Sequence, residues 1–60
     1  MDLQKLFDWF GGKKRTADAL GIDPAAISQW IKWGYVPPAN ALKIERITNG
    51  EFKAIDLSKQ

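Results

Sequence analysis

Ser28, Gln29 and Lys32 carry hydrogen-bonding and charged groups at spacings of one, three and four residues. A helix would gather them, with Ala25, on one side. That face is short and polar, and uncharged apart from Lys32. A merely solvated helix would more commonly use Glu and Lys there. Upstream, Lys13, Lys14 and Arg15 form a basic run. Residues 13–33 hold four basic and two acidic side chains, and the rest of the chain holds five of each, so the whole formal charge of +2 falls in this one segment. Such a distribution suits an anionic partner. The plainer alternative is a solvated charged helix face.

Catalytic chemistry has no comparable foothold. The chain has no histidine and no cysteine, which removes disulfides and the ordinary zinc ligands together. No Asp/Glu pair lies in a motif that would drive two pKa values apart for acid–base work. The string GGKKRT is superficially a phosphate-binding loop, but the earlier glycine and the Ser or Thr after Lys13 are missing. Sixty residues also lack the depth for a substrate cavity of several hundred Å³. These features predict no enzyme, no cofactor, no metal and no small-molecule substrate. No apolar run approaches the roughly 18 residues of a membrane span, and MDLQKLFDWF lacks the pattern of a signal peptide. The expectation is a cytoplasmic protein with no membrane partner.

The elements that position these side chains follow from local signals. Residues 1–60 are expected to form one domain, small enough to depend on good helix packing or self-association for stability. Leu3, Leu6, Phe7 and Phe10 form the stripe of a first helix, capped by Asp2 and ended by Gly11-Gly12, with Trp9 at its flank. A second helix spans about 13–20 with Ala17 and Leu20 inward, and Gly21 supplies a left-handed stop. Asp23 as N-cap and Pro24 at the first position open a third helix to about residue 33, ended by Gly34. Its wheel puts Ile27, Trp30 and Ile31 inward, and Ala25, Ser28, Gln29 and Lys32 outward with Pro24 at the edge. Val36-Pro37-Pro38 is a break. Ala41, Leu42, Ile44 and Ile47 then suggest a fourth helix over about 39–48.

Asn49-Gly50 reads either as a helix C-cap or as the centre of a type I′ hairpin. The helix is preferred because the flanking apolar residues do not alternate with period two. Residues 51–60 fit a fifth turn of helix or an extended tail. Phe52, Ile55 and Leu57 either complete the core or pair across a two-fold axis. The predicted fold is all-α, with four to five short helices, and the runner-up is α+β with a C-terminal β-hairpin.

The informative unit is KKRTADALGIDPAAISQWIK, two short helices joined by a turn at Gly21. Small Ala17 permits close approach, and Leu20, Ile22, Ile27 and Trp30 form a shared core that sets a steep crossing and projects the second helix outward. A helix so projected fits a DNA major groove about 12 Å wide. The string AxALGIxxAAISQW, followed by GYVP and IERITNG, resembles the phage Cro repressors and the related YdaS-type prophage regulators over roughly residues 7–52.

The resemblance implies a lambda-repressor-like architecture with its helix-turn-helix at about 13–33. It also implies a sequence-specific repressor of double-stranded DNA. Its recognition helix, about 24–33, would read bases through Pro24, Ala25, Ser28, Gln29 and Lys32, while Lys13, Lys14, Arg15 and Tyr35 would meet phosphates. Trp33 and Tyr35 could close the core, touch a phosphate or join a dimer interface. A weak homodimer on a pseudo-palindromic operator, in the cytoplasm of a bacterial host, is implied as well. Pro24 and Ala25 depart from the pattern, since relatives often carry longer polar readers there. Asp23 puts a negative charge at the start of the recognition helix. Family members also differ in the C-terminal third. Two alternatives carry a protein partner: a helical interaction module anchored by Trp9, Trp33 and Tyr35, and an antitoxin-type regulator.

Overall fold

The computed structural model describes residues 2–58. Five helices follow one another: α1 (Leu3–Phe10), α2 (Lys13–Leu20), α3 (Pro24–Trp33), α4 (Pro38–Ile47) and α5 (Ala54–Leu57). Among the described residues there is no strand, so the fold is all-α and the hairpin variant is not adopted. What was expected of Lys59 and Gln60 lies outside the described residues.

Local chemistry sets the helix ends. The Asp2 carboxylate accepts the amide of Gln4 at 3.0 Å and opens α1; the Asp23 carboxylate accepts that of Ala25 at 2.8 Å and opens α3. Each satisfies a first-turn N–H that the helix itself leaves without a partner. At the end of α2, the amide of Gly21 donates to the Asp18 carbonyl at 3.2 Å and that of Ile22 to the Ala17 carbonyl at 3.0 Å. This paired closure needs a left-handed residue between helix and turn, and Gly21 provides it at φ +69°.

Leu3, Leu6 and Phe7 of α1, Ala17 and Leu20 of α2, Ile27 and Trp30 of α3, Ala41 and Ile44 of α4, and Leu57 of α5 meet in one buried core with Val36. Contacts that no local pattern announces lock the arrangement. The Lys43 ammonium on α4 donates to the Leu20 carbonyl at the end of α2, at 2.6 Å. The Glu45 carboxylate, also on α4, accepts the amide of Ala54 at 2.6 Å and so caps α5. The amide of Val36 donates to the Leu57 carbonyl at 2.8 Å, joining the turn after α3 to the last helix. Buried Thr16 and Thr48 turn their hydroxyls back on the carbonyls of Gly12 and Ile44, both at 2.8 Å, so neither is an unsatisfied polar group.

One inward assignment needs correction, that of Ile31, and two of the apolar residues that suggested α4 also face solvent. Ile31 is 47% exposed, Leu42 55% and Ile47 42%. On α3 the packed seam is centred on Trp30, with Ile27 on one side and half-buried Ala26 on the other, which leaves Ile31 on the rim. On α4 the seam runs through Ala41, Ile44 and Thr48, and Leu42 and Ile47 both lie roughly a quarter-turn or more away from it. Helix α4 also starts one residue earlier than expected, because Pro38 is at home in a first turn.

The C-terminal region resolves the open readings. Asn49 and Gly50 have φ of +52° and +83°. Their amides donate to Arg46 and Glu45, at 3.2 and 2.9 Å, so the pair closes α4. Leu57 enters the core, Phe52 packs half-buried against it, and Ile55 points outward at 78% exposure.

Candidate nucleic-acid interface

Helices α2 and α3 are joined by Gly21-Ile22-Asp23 and packed through Ala17, Leu20, Ile27 and Trp30, each 2% exposed or less. Ala17 sits where any larger side chain would push the helices apart. With Ile27 and Trp30 turned into the core, the opposite side of α3 faces solvent. Pro24, Ala25, Ser28, Gln29 and Lys32 are all exposed. They form one continuous face, from the capped N-terminal turn of α3 to its last turn. Trp30, which fills the core behind Gln29, fixes the rotation of the helix about its axis.

Lys13, Lys14 and Arg15 occupy the first turn of α2, all exposed. Gly12 is the N-cap residue and offers no side-chain acceptor, so no side chain covers the first-turn amides. Thr16 secures this end from below: its amide and its hydroxyl both donate to the Gly12 carbonyl, at 3.0 and 2.8 Å. The Arg15 side chain folds toward Gly11, where its Cδ would lie 3.1 Å from an added Cβ. Three cations and a helix N-terminus thus share one edge of the motif, an arrangement suited to anions.

The expected residues therefore form two groups, the α3 face and the α2 start. Tyr35 belongs to neither. It is half-buried just past the α3 C-cap, and its ring stacks on Trp33 at 5.7 Å with an interplanar angle of 23°. Trp33 packs on Tyr35 at the surface and is not a core residue, being 47% exposed. Trp9, exposed to the same degree, meets Phe10 and Phe52 edge-on and helps close the other end of the domain. Sequence reasoning did not single out Lys43. Its bond to Leu20 spans 23 residues, so no spacing rule could have found it.

Among the described residues there is no pocket, and no cluster of acidic, His or Cys side chains that could hold a metal ion. Among the same residues no helix is long and apolar enough to cross a membrane. The sequence profile of the family described as DNA-binding transcriptional regulator Cro matches residues 3–60, nearly the full length.

The chain belongs to the Cro family.

It is 40% identical over 48 residues to the regulatory protein cro of Salmonella phage P22, covering 80% of this chain and 75% of that protein. It is 33% identical over 55 residues to the regulatory protein cro of Pseudomonas phage D3, covering 90% of this chain and 75% of that one. No solved structure matches the chain. The resemblance read from AxALGIxxAAISQW and IERITNG is thereby borne out. This Cro family member is a DNA-binding transcriptional regulator, and its family is one of regulators and not of enzymes.

Proposed function

We propose that the chain acts as a single domain and represses transcription by binding a pseudo-palindromic operator as a weak homodimer. Helix α3 enters the major groove of each half-site. The observation that carries this reading is the outward face of α3, exposed from Pro24 to Lys32 while Ile27 and Trp30 are buried behind it. Gln29 has the donor and acceptor to bond adenine N6 and N7 together, Ser28 can pair with several bases, and Ala25 suits a thymine methyl. Short Pro24 and Ala25 let the helix approach the base edges closely. Lys32 reaches a base or a phosphate from the far end of the face.

Lys13, Lys14 and Arg15 grip the phosphate backbone beside the groove, with the uncapped amides of α2 adding to the attraction. These contacts set register and carry no sequence information. Two such domains on successive major grooves, about 34 Å apart, occlude a promoter from polymerase. The DNA itself favours assembly of a weak dimer by mass action. The site of action is the DNA in the host cytoplasm.

Exposed Trp9 and Trp33 favour a second reading, in which the same scaffold also docks a protein, as an interaction module or an antitoxin does. Salt separates the two. Binding through several phosphates weakens steeply as salt rises, and an aromatic-anchored protein contact changes little. Selection from a random duplex pool at fixed salt, followed by sizing of the bound complex, tests the operator reading. A two-fold symmetric consensus bound by two chains is expected. A pool without enrichment, or a consensus lacking symmetry, contradicts it.

A further inference from the structure

We infer that Trp33 is a DNA contact of this protein, an aromatic donor held against the phosphate backbone where α3 leaves the groove. The inference rests on the operator reading above and adds a residue to it. Trp33 lies four residues after Gln29 and one after Lys32, so on the helix surface it adjoins the proposed reading face one turn further on.

Three observations give this position a ligand-directed character. First, the indole is 47% exposed although it is large, apolar and unnecessary to the core. Secondly, one face of the ring is braced by Tyr35 at 5.7 Å, so its orientation is set before any partner arrives. Thirdly, among the described residues neither the indole N–H of Trp33 nor the hydroxyl of Tyr35 donates a hydrogen bond within the chain. Indole is a donor only. Beside Lys32, and past the end of a face suited to base edges, the acceptors it would meet are phosphate oxygens.

The brace is itself anchored. Gly34 turns the chain at φ +82°, and Val36, fully buried, donates its amide to the Leu57 carbonyl at 2.8 Å. Tyr35 is held between these two fixed points. The pair is therefore a small rigid platform, which loses little side-chain freedom on binding.

The test uses two duplexes, one carrying the full consensus selected by the wild-type protein and one carrying a single half of it. Trp33→Ala and Trp33→Phe are compared with wild type on both, after circular dichroism and melting show that each variant is folded. Both variants are expected to weaken half-site binding by about three- to tenfold, the range of one net hydrogen bond. The salt slope should be unchanged, because a neutral donor replaces no counterion. Trp33→Phe keeps a ring on Tyr35, so its loss isolates the N–H and decides the matter should Trp33→Ala unfold.

Unaltered half-site binding, with weakening confined to the two-site duplex, overturns the inference and assigns the ring to a second copy of the chain. Unaltered binding to both overturns it outright. Either result leaves the operator reading intact. A wild-type protein that enriches no duplex removes both.

Discussion

The ammonium of Lys43 sits 2.6 Å from the carbonyl oxygen of Leu20, closing the end of α2 with a cation from α4. Leu20 is the last residue before the turn that sets α3 at its angle. A cation there meets the negative end of the α2 dipole as well as a carbonyl left open by the helix end.

Lys43→Met keeps much of the aliphatic stem and removes the donor. It should lower the unfolding free energy by about 1 kcal/mol in a urea melt. Lys43 is on a different helix from both proposed DNA-contacting groups, so the salt slope of DNA binding should stay at the wild-type value. An unshifted melt would mean that water replaces the ammonium at no cost.

Gln29→Ala should weaken binding to the selected operator by roughly 1–3 kcal/mol and leave random duplex nearly unaffected. The measurement is a pair of titrations at one salt concentration. Equal losses on both duplexes would remove Gln29 from base reading and leave it a general contact.

Lys14→Ala should behave in the opposite way. All duplexes should be bound more weakly, and the slope of log affinity against log salt should flatten by about one. A change in operator affinity at constant slope would show that Lys14 meets no phosphate.

Gly21→Ala tests the turn. An added Cβ meets nothing within 4 Å, so any penalty comes from the backbone alone, held at φ +69°. The expected loss is about 1–2 kcal/mol of stability. Gly21→Asn should lose less, because asparagine tolerates the left-handed region better. Equal melts for all three proteins would contradict the strain argument.

The parts of this fold that were legible in the sequence are those set within a turn or two of chain. Asp2 and Asp23 announced helix starts because a carboxylate before a helix has amides within reach. Gly11, Gly21 and Gly34 announced stops for the converse reason. The solvent-facing side of α3 was legible by exclusion, since Ile27 and Trp30 had to turn inward.

What was not legible depends on neighbours brought together from afar. Lys43 on Leu20, Glu45 on Ala54 and Val36 on Leu57 join segments that no periodicity relates. Ile31 was assigned inward from its chemistry, and it is exposed together with Leu42 and Ile47, because a small domain has too little polar surface to cover itself. Ile55, on a helix of four residues, had no period from which to choose between inside and outside.

The bend at Asn49-Gly50 has an evolutionary consequence. Its two positive φ values, +52° and +83°, are of the kind that the central pair of a type I′ turn requires, although here they terminate a helix. A descendant moving toward a β-ribbon in this half of the molecule would not have to invent a corner. It would inherit one, and selection would act only on the alternation of side chains to either side.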